Sequence, residues 1–95
     1  MINQFKNKRI LFTGACEAVG SELIRQLRSV QKHDDCEVIG IDNKEKRLFF
    51  LDQLYRNDSS TYFFVLDIRD KDELSLKMKG IDVVFHSAAL KHVII

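Results

Sequence analysis

Gly14, Glu17 and Gly20 stand at the three-residue spacing of a loop that cradles phosphate, with a carboxylate in the middle position. The stretch Arg-Ile-Leu-Phe-Thr-Gly-Ala-Cys-Glu-Ala-Val-Gly (residues 9–20) runs an apolar strand into Thr13-Gly14 and opens a helical pattern near Ala18. In a Gly-x-x-Gly-x-x-Gly dinucleotide fingerprint the first glycine permits the tight turn. The middle one lets a pyrophosphate approach the backbone, and the last lets helix and strand pack closely. Gly14 and Gly20 keep the outer roles. Glu17 adds a side chain and a negative charge where the phosphates would pass. A charge pair about 5 Å apart at an effective dielectric of 20 is worth about 3 kcal/mol. Such repulsion would weaken pyrophosphate binding roughly a hundredfold.

Asp42 stands 22 residues after Gly20, at the end of a second apolar run. An acidic group there can accept the adenosine ribose 2′-OH, or it can cap the helix that starts near Lys44. As a ribose acceptor it repels a 2′-phosphate and favours NAD over NADP. Lys44, Lys46 and Arg47 pull the other way unless they form a solvated helix face. Asp67 closes a third apolar run, where it can face an adenine amino group or cap the following loop. His86, Lys91 and His92 gather around a fourth run. No carboxylate lies at metal-ligand spacing from the histidines, and His86 reads as a strand-end residue. Cys16 and Cys36 form no metal or redox motif. Cys36 reads as core filler, and Cys16 as an inert loop thiol that Glu17 keeps protonated.

These residues need a frame. Lys8–Thr13 is an apolar strand. Val19, Leu23, Ile24, Leu27 and Val30 make a helical stripe, and the polar run 31–35 ends that helix. Glu37–Asp42 is a second strand, and Lys44–Arg56 a second helix with Leu48, Leu51 and Tyr55 on one face. Residues 57–60 form a turn before a third strand, Thr61–Ile68. Asp70 and Glu73 form a capping box on a short helix. Leu74 and Met78 face one way from it, and Gly80 ends it. Asp82–Ala89 is the fourth strand. The βαβαβαβ order predicts a truncated Rossmann-like three-layer α/β fold with a four-stranded parallel sheet of order 3-2-1-4.

The chain has 95 residues, 45% hydrophobic and 31% charged, with a formal net charge of +1. That is one domain at most, a single half of a Rossmann domain. The charge balance gives no case for nucleic acid or a membrane surface. No apolar run approaches bilayer length, and the first residues carry no secretory signal. The expected location is the cytoplasm.

Three segments together are specific. Thr13-Gly14 to Gly20-Ser-Glu-Leu23, Asp67-Ile-Arg-Asp70, and Gly80-Ile-Asp-Val-Val-Phe-His-Ser-Ala-Ala-Leu-Lys-His-Val93 resemble the polysaccharide-biosynthesis branch of the extended short-chain dehydrogenase/reductases. That branch contains the nucleoside-diphosphate-sugar 4,6-dehydratases, including the UDP-N-acetylglucosamine type. The resemblance covers essentially the whole chain. It implies a cofactor site in which Gly14, Cys16, Ala18, Val19 and Gly20 form the pyrophosphate loop. Asp42 and Asn43 would meet the ribose, and Asp67 and Ile68 would flank adenine. Ala88, Ala89 and Lys91 would line the nicotinamide side. Family members oxidise the sugar at C4 with bound NAD(P), eliminate water across C5–C6 and return the hydride. The family's catalytic tyrosine–lysine pair and its sugar-nucleotide site lie beyond residue 95, and Glu17 replaces a family glycine.

Three readings follow. One is a nucleotide-binding module, inactive alone, that takes NAD weakly or not at all and can take an adenine nucleotide. Another is an oligomeric interaction remnant that binds no cofactor. The last is the N-terminal piece of an active dehydratase, completed by another polypeptide. With one short helix for a whole sheet face, and strand four at the edge, the sequence predicts a homodimer or larger assembly, through that edge or through Val84 or Phe85.

Overall fold

The computed structural model describes residues 5–30 and 36–86. The elements are β1 (Arg9–Thr13), α1 (Ala18–Val30), β2 (Glu37–Asp42), α2 (Glu45–Leu54), β3 (Thr61–Val65), α3 (Lys71–Met78) and β4 (Val83–His86). The four strands are parallel in the order β3-β2-β1-β4. The predicted parallel topology holds. The sheet is central because β1 and β2 are apolar on both faces, as strands buried between two helical layers must be.

Alternation along the strands builds two cores. Ile10, Phe12, Val38 and Ala15 face α1 and α2, where Ile24, Leu27 and Leu48 meet them, with Leu23, Leu51 and Tyr55 at the margin. Leu11, Ile39, Ile41 and Leu66 face the other way, toward Ile68, Leu74 and Ile81 around α3. Phe85 belongs to the first core. Its ring stacks on Phe12 with centroids 5.1 Å apart and meets Phe5 edge-on at 6.0 Å. Of the two residues named as alternatives for a contact surface, Phe85 therefore packs against the first core, and Val84 is exposed on the sparsely covered side.

Other boundaries shift for local reasons. β3 ends at Val65, because its partner β2 ends at Asp42 opposite it. Leu66 N–H makes a last bond to the Asp42 carbonyl, and Asp67 then turns the chain, accepting from Asp70 N–H. Asp67 is therefore a loop residue. Val19 and Met78 stay exposed rather than joining their helical stripes. Only half the capping box forms: Asp70 accepts from Glu73 N–H, while its own N–H goes to the Asp67 carbonyl. Gly80, at φ 75°, ends the α3 turn as expected. The polar run 31–35 and residues 87–95, which carry the expected end of strand four, Ala88, Ala89, Lys91 and His92, lie outside the described residues.

Gly40, in the middle of β2, has a packing reason for being glycine. A Cβ there would come within 2.7 Å of the Phe63 ring and 3.0 Å of the Ala15 methyl. The missing side chain lets the β3 aromatic and the loop after β1 close over the same point. Gly40→Ala is expected to destabilise the fold by about 1–3 kcal/mol through overpacking, read as a lower urea midpoint with unchanged m-value.

Candidate functional site

The loop after β1 takes its shape from three backbone facts. Gly14 sits at φ 66°, a region that favours glycine. Its carbonyl accepts from Glu17 N–H at 3.0 Å, closing the turn. Ala15 N–H reaches the Ile41 carbonyl at 3.0 Å, so the β1–β2 ladder runs one step past the strand. The Glu17 carbonyl then accepts from Ser21 N–H and α1 begins. The first amides of a helix lack helical partners and collect partial positive charge. Here that end of α1 opens to solvent at Ala18 and Val19, while Gly20 is buried against the sheet.

Asp42 lies under this corner, only 6% exposed. Its Oδ2 accepts from Cys16 N–H at 2.9 Å and its Oδ1 from Lys44 N–H at 3.0 Å. The expected helix cap is thus a bridge between two loops. Lys44 itself is the N-cap of α2, with no side-chain cap bond. Above the bridge, Lys44 Nζ pairs with Glu17 Oε2 at 2.7 Å. The Glu17 charge therefore faces a lysine across the loop mouth. Position 17 was singled out in the sequence; its partner was not, although oppositely charged residues just past adjacent parallel strands are a usable signal.

The remaining predicted residues fall into place unevenly. Gly14, Cys16, Ala18, Val19, Gly20, Asp42 and Asn43 gather at one corner of the carboxyl edge of the sheet. Asp67 lies on the same edge after β3, gripped by Arg69. The guanidinium bonds hold its carboxyl down at about 2. Ile68 packs its side chain into the second core. His86 meets the Thr13 hydroxyl through Nδ1, tying the ends of β4 and β1 together beside the loop. The register Thr13↔His86 makes this contact readable once the sheet order is known.

The Cys16 thiol is pushed up to about 11. Burial is the main cause and the neighbouring Asp42 charge the second, while Lys44 and Arg47 pull the other way. The inert thiol was expected, but it owes that to burial and Asp42 rather than to Glu17. Cys36 is buried as expected, with Arg28 donating to its carbonyl at 2.8 Å.

A parallel sheet of order 3-2-1-4 carrying a glycine turn and a helix N-terminus at its carboxyl edge defines the class: a Rossmann-like α/β fold. Residues 10–95 match the family described as polysaccharide biosynthesis protein, and the chain belongs to that family. It is 32% identical over 89 residues to a UDP-N-acetylglucosamine 4,6-dehydratase (inverting) of Campylobacter jejuni, covering 94% of this chain and 26% of that one. It is 38% identical over 91 residues to an uncharacterized membrane protein of Methanocaldococcus jannaschii, covering 96% and 26%. The X-ray structure of Pen from Bacillus thuringiensis superposes with a TM-score of 0.75 at 26% identity, covering 86% of this chain and 24% of that one. More distant short-chain dehydrogenase/reductase structures share the fold. The chain spans about a quarter of the length of the curated relatives it matches. Among the described residues, no helix is long and apolar enough to cross a membrane.

Two outcomes check this corner. Near pH 8, Cys16 should alkylate about a hundredfold more slowly than an unperturbed thiol, whose value is 9.0. A rate like that of free cysteine would mean the loop opens. Asp42→Ala removes the acceptor of two part-buried N–H groups and should cost about 1–3 kcal/mol. Amide exchange should quicken at both Cys16 and Lys44; change at one alone would deny the bridge.

Proposed function

We propose that these residues are the adenine-nucleotide half of an NAD(P)-binding site in a nucleotide-sugar dehydratase or epimerase setting, and that they do no chemistry alone. The Asp42 bridge carries this reading. It fixes the β1–α1 and β2–α2 loops against each other beside the open end of α1, where an anion is favoured. The backbone fits a pyrophosphate: Gly14 supplies the turn, and Ala18 and Val19 leave the helix end uncovered. Asp42 and Asn43 stand where a ribose would lie. A carboxylate has about four acceptor positions, so Asp42 can take a ribose hydroxyl besides its two amides. Asp67 and Ile68 border the adenine side, and Ala88, Ala89 and Lys91 would extend the site toward the nicotinamide. NAD is favoured over NADP, because Asp42 repels a 2′-phosphate and Lys44 is engaged by Glu17. When bound, the cofactor would supply the hydride acceptor. The protein's part is to bind and orient its adenosine end. We place the chain in the cytoplasm on the same reading.

Dehydratase chemistry needs an acid–base pair within hydrogen-bond reach of the sugar. The resemblance assigns that pair to positions past residue 95. The 95-residue protein incubated with UDP-N-acetylglucosamine and NAD should leave both unchanged. A keto-sugar product from purified protein would overturn this.

Dinucleotide binding should be weak and should strengthen on Glu17→Gly. A bare charge would cost roughly a hundredfold; with Lys44 offsetting part of it, roughly tenfold is expected. Calorimetric titration of both proteins is the check, and equal affinity would mean that Glu17 does not oppose the phosphates.

The apolar far side favours a second reading, a self-associating module. Tyr62, Phe64 and Val84 on the sheet and Leu76 and Met78 on α3 are all exposed. Sedimentation at micromolar concentration should show a dimer or larger, and Val84→Lys should weaken it. A monomer at high concentration would remove this reading.

A further inference from the structure

Glu17 and Lys44 come from different loops, yet their segments are joined twice. Beneath, the Asp42 carboxylate holds Cys16 N–H and Lys44 N–H. Above, the Glu17 carboxylate meets Lys44 Nζ at 2.7 Å. The lower joint fixes the backbones, so the upper one is short-range and oriented. The Glu17 side chain is 16% exposed and that of Lys44 44%, so the lysine reaches inward from the solvent side. Arg47 also acts on this corner, since both cations pull on the Cys16 thiol. Among the described residues, the corner thus holds two carboxylates, Glu17 and Asp42, against two cations, Lys44 and Arg47.

We propose that Lys44 is the specificity-determining residue of this loop: by pairing with Glu17 it holds the carboxylate aside, so that a loop without its middle glycine still accepts a diphosphate. The inference rests on the nucleotide-binding reading. The alternative, that the pair bolts the loop shut against phosphate, asks too much of it. Half-exposed ion pairs are weak, and a ligand that gains helix-end contacts can displace one. A pair also presents less net charge to the phosphates than Glu17 does once the lysine is removed. Removing Lys44 should therefore harm diphosphate binding through Glu17, and leave a ligand without phosphates untouched.

The test is an NMR titration, which reads millimolar affinity, with NAD and with adenosine. The proteins are the unmodified chain, Lys44→Met, Lys44→Arg, Glu17→Gln and the Lys44→Met/Glu17→Gln double variant. Lys44 makes no side-chain cap bond to α2, and a thermal melt of each variant checks the fold. Lys44→Met should lower NAD affinity at least tenfold and adenosine affinity less than twofold, with Lys44→Arg restoring NAD binding. In the Glu17→Gln background the loss on Lys44→Met should be at least threefold smaller. Unchanged or tighter NAD binding by Lys44→Met would overturn the proposal in favour of the bolt. Equal losses in both backgrounds would also overturn it, since Lys44 would then act on phosphate directly. Adenosine binding without NAD binding by the unmodified chain overturns it and leaves the nucleotide reading standing. If neither ligand binds the unmodified chain or Glu17→Gln, the nucleotide reading itself falls.

Discussion

The upper edge of this sheet depends on the carboxylate of Asp42. Burying a carboxylate is costly unless hydrogen bonds replace its water. Cys16 N–H and Lys44 N–H do so at 2.9 and 3.0 Å. Because those amides belong to two loops, satisfying the carboxylate brings the loops together. Once they meet, other choices follow. The turn from β1 must be tight, which Gly14 provides. The Ala15 methyl must nest over β2, which Gly40 permits. The Cys16 thiol lands beside a buried charge and is held in its neutral form.

The two sheet faces differ because the helices differ. α1 presents a clean stripe and, with α2, covers Ile10, Phe12 and Val38 completely. The Phe12–Phe85 stack carries that core to β4, so the strand at the edge is held by an aromatic contact as well as its ladder. α3 is eight residues long and buries none of them fully. Lys77 helps by lying over the Phe64 ring, 3.9 Å from its centroid. A cation on an aromatic face can coexist with water, and so does not replace a second helix.

Elements and their order were legible because periodicity changes sharply along this chain, from continuous apolar runs to three-and-four spacing. Where the reading slipped, a long-range partner decided. Thr61–Ile68 looks like one strand by composition. It ends at Val65 because β2 has no residue left to pair beyond Asp42. Val19 fits the α1 stripe by spacing, yet it lies in the first turn, beyond the reach of the sheet. Phe85 and Val84 could not be told apart, since a one-residue shift of register exchanges their faces. At the site, Gly14, Asp42 and the helix start were readable as types at positions. The double use of Asp42 and the Glu17–Lys44 pair were not, because each needs the spacing of β1 and β2 in space.

Position 17 separates two roles that a glycine fingerprint combines. Among the described residues, Asn7 is the one non-glycine with positive φ. Glu17 therefore occupies backbone that any residue can adopt, and the turn around it forms with ordinary hydrogen bonds. Gly14, at φ 66°, has no such freedom, and Gly40 is fixed by the space Phe63 fills. A substitution at 14 or 40 is paid in folding. At 17 the backbone forbids no side chain, and a substitution acts through the Lys44 pair and on what approaches the loop. The fold thus tolerates a carboxylate at the middle position of the fingerprint, and the charge of the loop mouth then depends on which neighbour answers it.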